Sequence, residues 1–228
     1  MHSLAVVLCS AGVFAAVPGI GASGSTGFVA AQQRLEQQLS TRASELARLA
    51  ADVAGSRTLA AGHAKVLGAR IATERASIGA LASKVPADTT YAELASDRNA
   101  MLRDNRVYAV EAPQVFDVIG ADAVAAQVLV LGADEPALAV AVASLAGQPG
   151  YAGALARNRA YVSTLARVSA STAHLVAAAL AQTPQSWPRD AHLFASANRQ
   201  LLAANVALAH ASFDAGVIGL AAGGYTGS

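Results

Sequence analysis

Aromatic side chains are scarce in this chain: Phe, Tyr and Trp together make up 5% of its 228 residues, although 54% are hydrophobic. The apolar content is therefore carried by alanine and small aliphatic side chains, a composition that favours closely packed helices over a sheet. Cysteine is nearly absent. The single thiol, Cys9, lies near the N-terminus, so a chain cut downstream of it has no disulfide and no thiol chemistry. Val7 and Leu8 precede it where a lipidation signal requires a small residue, and the apolar run continues past it, which argues against a lipoprotein. Charge is sparse as well. Charged residues are 14% of the chain, and 16 Lys plus Arg against 15 Asp plus Glu leave a net charge of +1, which removes any bulk electrostatic case for nucleic acid. Few aromatics are left to stack bases.

The few charges are unevenly placed. Both flanks of the chain are mildly basic, whereas the stretch from Val107 to Ala156 holds Glu111, Asp117, Asp122, Asp134 and Glu135 and no Lys or Arg. This acidic band is expected to be a solvated helix face. At the start, Leu4 to Val17 is uncharged and mostly apolar, followed by Pro18 and the small residues from Gly19 to Ser25. That order predicts a secretory signal over residues 1–24, cleaved near Ala22 to Gly24, although only His2 stands where a basic n-region belongs. The alternative is an uncleaved anchor. Past this segment no transmembrane span is expected, because the most apolar run, Val124 to Leu131, is stopped by Gly132 and Asp134-Glu135-Pro136.

Helical periodicity organises the rest. Leu35, Leu39, Leu46, Leu49 and Val53 follow an a/d seam with Arg42 in the vacant slot, and Leu67, Ile71, Ile78, Leu81 and Val85 form a second with Glu74 in its gap. The break at Gly55-Ser56 predicts an antiparallel hairpin. Thr90 with Glu93 has capping-box spacing and starts a third helix, which is expected to run through Asp104 to Tyr108 and to kink or break at Pro113. A helix from about Gln114 to Leu131 and a shorter one from Pro136 to Ala146 follow. Gly147-Gln148-Pro149-Gly150 makes 147–152 the best internal boundary. A last hairpin carries Tyr161, Leu165, Val168, Thr172, Leu175 and Ala179 outward, turns at Thr183 to Pro188, and returns on Leu193, Ala197, Leu201, Ala204, Leu208, Ala211, Ala215 and Ile218. The expected fold is all-α, an elongated antiparallel bundle of long helix hairpins over 25–222, with 223–228 as a flexible tail.

The segment from Leu94 to Arg98, continuing through Arg106-Val107-Tyr108-Ala109-Val110-Glu111-Ala112-Pro113-Gln114-Val115 to Ile119-Gly120-Ala121-Asp122, resembles a group of uncharacterised exported all-helical proteins of Gram-positive bacteria. The alanine-rich stretch Asn198 to Leu220 is similar to their final helix. Glu111 departs from the pattern, which is apolar there. The resemblance implies export and a helical bundle, and it supplies no catalytic residue.

Signatures of chemistry are hard to find. The histidines, His2, His63, His174, His192 and His210, include no i, i+4 pair; His192 and His210 share a face but stand roughly 27 Å apart along a helix. His63 and His174 are expected to sit at helix surfaces or in interhelical hydrogen bonds. No Glu-x-x-His motif suggests a di-metal bundle, and nucleophile elbows, Ser-x-x-Lys and phosphate loops are missing from the sequence. No catalytic, cofactor or metal residue is therefore assigned. One polar cluster, Asp104, Arg106, Tyr108 and Asp117 around Pro113, is the place where a cation or polar ligand would sit; the plainer expectation there is helix ion pairs and an interhelical polar network. The leading functional expectation is a secreted or envelope-associated structural or interaction protein, not an enzyme, binding itself, another envelope protein or a wall polymer. The alternative is a module for apolar ligands or membrane surfaces, and the third reading is an enzyme with its site at the Pro113 cluster.

Overall fold

The computed structural model describes residues 24–190 and 192–225, so the predicted export segment lies outside it up to residue 23. Every element among the described residues is helical. Helices α1 (Gly24–Gly55) and α2 (Ala61–Lys84) form the first hairpin. Gln32 near the start of α1 donates through Nε2 to the Val85 carbonyl just past the end of α2, at 2.8 Å, which makes the two antiparallel. Both expected seams are inside: Leu39, Leu46, Leu49, Leu67, Ile71 and Ile78 are buried.

A 3₁₀ turn over Val85–Ala87 ends the hairpin, and α3 (Tyr91–Arg103) begins with the predicted capping box. Thr90 Oγ1 accepts from the Glu93 N–H at 3.2 Å while Glu93 Oε2 accepts from the Thr90 N–H at 2.9 Å. Thr90→Ala should cost about 1 kcal/mol in a urea titration, the usual effect of removing such a cap; an unchanged midpoint would show that α3 is held by packing alone.

The chain does not kink at Pro113. It breaks earlier, at Asp104 to Arg106, where the Val107 N–H reaches back to the Asn105 carbonyl at 2.9 Å around Arg106, at φ −82° and ψ 55°. A π-helical turn over Val107–Glu111 follows, and Pro113 sits in the first turn of α4 (Ala112–Gly132), where the lack of an N–H is tolerated. After α5 (Glu135–Ser144) comes a turn with Gly147 and Gly150 at φ 80° and 97°, conformations that other residues adopt at a cost. Helices α6 (Tyr151–Ala181) and α8 (His192–Tyr225) form the second hairpin, with the short α7 (Trp187–Asp190) between them. The expected tail is helical as far as Tyr225, and 226–228 lie outside the described residues.

Two buried clusters follow one another along the bundle, one between α1, α2, α3 and the first half of α4, the other between the rest of α4, α5, α6 and α8. Helices α6 and α8 contribute to both, since Leu175, Val176 and Ala197 belong to the first and Tyr161, Leu165 and Leu208 to the second. The turn at 147–152 thus reverses the chain while α4 packs on α6 and α8 across it. Gly120 is where α4 and α8 approach closely: a Cβ there would lie 2.9 Å from Leu201 Cδ1.

Helix ends inside the bundle are satisfied from neighbouring helices. The Tyr161 hydroxyl donates to the Leu131 carbonyl at the end of α4. Asp122 on α4 accepts from the Ala60 N–H at 2.8 Å at the start of α2, and from His63 Nδ1 at 2.9 Å, the interhelical bond expected of that histidine. Arg70 and Gln114 reach the end of α6, described below.

Two expectations are corrected. The acidic band is not one solvated face, because Glu111 in the π turn and Asp117 and Asp122 on α4 are buried; only Asp134 and Glu135 at the α4–α5 turn are exposed. Nor does it hold that no later stretch qualifies as a span: Tyr91–Ser144, Tyr151–Ala181 and His192–Gly223 are each long and apolar enough to cross a membrane by length and composition. Alanine explains the difference, since an alanine-rich helix reaches the hydropathy of a span without an unbroken run of large apolar side chains.

Candidate functional site

The densest polar chemistry surrounds Arg70. Its guanidinium enters from α2 and donates to the Leu180 and Gln182 carbonyls at 2.6 and 3.0 Å, closing the end of α6 where unpaired carbonyls and the helix dipole favour a cation. Gln114 from α4 donates to the Ala179 carbonyl at 2.6 Å from the other side. Glu111 and Glu74 line the same region. Burial pushes the Glu111 carboxyl up, opposed by the Arg70 charge. Glu74 is pushed up to about 7, first by burial and then by the charges of Glu111 and Asp104. Glu74 Oε2, Glu111 Oε2 and Gln114 Oε1 are buried oxygens without a hydrogen-bond partner.

Asp117 stands one turn further along α4. Burial pushes its carboxyl up to about 7. It borders a cavity of about 40 Å³ shared with His174, Phe194 and Gln200, between α4, α6 and α8. A second cavity, of about 140 Å³, lies at the far end between Gly150, Arg157 and Ile218. Both are smaller than the several hundred Å³ of a typical ligand pocket.

The residues predicted around Pro113 take separate partners. The Arg106 guanidinium lies over the Trp187 ring, 4.8 Å from its centroid, and its Nε donates to the Arg103 carbonyl at 3.2 Å. Tyr108 lies beneath Arg42, 5.3 Å away, which fills the vacant slot of the first seam. Asp104 caps α3 and raises Glu74, and Asp117 faces α6 and α8. Among the described residues, no group of three or more His, Cys, Asp or Glu is placed to hold a metal ion.

Sequence reasoning missed an apolar surface on the outside of α8. Opposite the buried stripe, Leu202, Phe213 and Leu220 are 66%, 67% and 80% exposed, and Val206 is exposed between them. Only 22% of the most apolar window of this helix is buried, so its hydropathy is not accounted for by the core. The signal is legible in the sequence: α8 repeats three-and-four spacing on both sides.

No protein-family model, no curated protein and no solved structure matches this chain.

Proposed function

We propose that the chain is an exported helical interaction protein of the cell envelope or extracellular space, without catalytic chemistry, and that the outer face of α8 is its working surface. The observation that carries this reading is the exposure of Leu202, Val206, Phe213 and Leu220 along one stripe of a long helix. Large apolar side chains left in water in a continuous patch mark places where a partner lands. The polar groups of the bundle support the same reading, because Arg70, Gln114, Tyr161 and Asp122 are engaged in closing helix ends. Export is supported by the apolar stretch Leu4 to Val17 and the small residues after it.

Mass spectrometry of the protein from culture supernatant and envelope fractions should find a mature start near Ser23; an intact Met1 in the cytoplasm would overturn export. For the surface, cross-linking in intact cells should give adducts with the wild-type chain that Phe213→Glu abolishes, and an identical pattern would sink the assignment. A second reading, partition into membranes, draws on the three stretches with the length and hydropathy of a span. It predicts that the wild-type chain floats with neutral phosphatidylcholine vesicles.

A further inference from the structure

The outer stripe of α8 has a finer pattern than exposure alone. Arg199, Leu202, Val206, Ala209, Phe213, Gly216 and Leu220 are all exposed and alternate at spacings of three and four, an uninterrupted a/d seam. The stripe is about 32 Å long at 1.5 Å per residue. It lies opposite the inner stripe of Ala204, Leu208, Ala211 and Ile218, which belongs to the buried core.

We infer that this seam is the interface of an antiparallel homodimer, in which α8 of one copy packs on α8 of a second about a two-fold axis passing midway between Ala209 and Phe213 of the seam. The inference rests on the reading of α8 as the working surface and names its partner. Its support is the match between large and small positions. With the axis there, Phe213 of one copy falls opposite Ala209 of the other, Val206 opposite Gly216, and Leu202 opposite Leu220. Each bulky side chain thus meets a small one or a flexible leucine, and each layer joins an a to a d position, as an antiparallel pair requires. A parallel pair would put Phe213 on Phe213 and Gly216 on Gly216, crowding one layer and emptying the next. Charge decides the same way. Arg199 is the only Lys or Arg of α8. In the antiparallel pair it reaches the carbonyl end of the partner helix, where a cation is favoured; in the parallel pair it faces its own copy.

Lipid is the poorer occupant. A helix lying on a membrane surface carries Lys and Arg along its polar flank, whereas this seam is flanked on one side by the exposed Asn198, Asn205 and Ser212 and on the other by Ala203, His210 and Val217. Uncharged polar side chains beside an apolar seam form a rim suited to a protein contact. The same surface on both copies also closes the assembly at two, since a two-fold contact leaves no seam exposed for a third.

The test uses the full chain carrying Cys9→Ser. In sedimentation equilibrium it should form dimers, and Phe213→Glu should weaken association by at least ~30-fold, the scale of a central interface residue, with unchanged helicity by circular dichroism. Leu202→Cys and Leu220→Cys are then purified separately, mixed and oxidised. The mixture should yield a disulfide-linked dimer while neither variant does alone, because like positions lie about 27 Å apart along the pair. A monomer at ~100 µM, far above the range of specific protein contacts, would overturn the proposal, and so would efficient cross-linking of each variant alone, which means a parallel pair. A purified monomer whose cellular cross-links still depend on Phe213 would leave α8 as the working surface with another protein as partner; cross-links indifferent to Phe213 would remove that reading too.

Discussion

Replacing Arg70 with Met should lower the stability of the bundle by about 3 kcal/mol. Each charge-assisted hydrogen bond contributes on the order of 1.5 to 3 kcal/mol, and Arg70 makes two, to the Leu180 and Gln182 carbonyls at the end of α6. Met keeps the apolar stem packed and removes the fork, so the loss reports the hydrogen bonds and the charge. The second consequence is electrostatic. Arg70 opposes the effect of burial on Glu111, so Arg70→Met leaves that carboxylate buried with its balancing cation gone. Glu111→Gln should therefore recover part of the stability of the Arg70→Met chain at pH 8. Urea titrations of the wild type, both single variants and the double variant close the cycle. Arg70→Lys should fall between, since an ammonium keeps the charge but spans two carbonyls poorly. A loss below about 1 kcal/mol, in the range of surface substitutions, would mean that water closes the end of α6 as well as Arg70 does.

That junction also shows which features are legible in a sequence of this kind. Seams can be read because they are periodic within one helix: Leu35 to Val53, Leu67 to Val85 and Tyr161 to Ala179 announce their buried faces by spacing alone. The Thr90–Glu93 capping box is readable for a similar reason, its partners being three residues apart. Tertiary caps have no such signature. Gln32 and Val85, Arg70 and Gln182, or Asp122 and Ala60 are 53, 112 and 62 residues apart, so nothing local distinguishes these side chains from solvated ones. The same blindness made the acidic band look like a water-facing surface, when three of its members point into the bundle. Pro113 misled in the opposite direction. Its ring breaks a helix only where an N–H is needed, and the π turn before it, with the Ala112 N–H reaching back to the Val107 carbonyl, moves the irregularity upstream to Asn105.

The candidate surface on α8 was half legible. Spacing alone marks both stripes: the inner one is half alanine, and the outer one carries Leu202, Val206, Phe213 and Leu220 at the same repeat. In a helix where both sides carry the repeat, burial decides which side is core, and burial is a property of the assembled bundle.

Asp117 gives the bundle a pH dependence opposite in sign to that of most ion-paired carboxylates. Unfolded, its carboxyl titrates near 4; folded, burial moves it to about 7. Below pH 4 both states hold the proton and the group contributes nothing. Between about 4 and 7 the folded chain keeps a proton that the unfolded chain has released, so stability falls as pH rises, and above 7 the full cost of a buried carboxylate remains. The difference between the two plateaus is on the order of 4 kcal/mol. Glu74 has the same sign and a smaller share, because its half-exposed side chain is screened by water. Asp117→Asn removes the titration while keeping the shape. The variant should be more stable than the wild type by about 3 to 4 kcal/mol at pH 8 and nearly equal to it at pH 4, as read from urea unfolding at the two pH values. The comparison isolates this carboxyl, because the other titrating groups are common to both chains. An equal difference at both pH values would mean that the substitution acts through packing and that Asp117 keeps an ordinary carboxylate's proton affinity in the folded bundle.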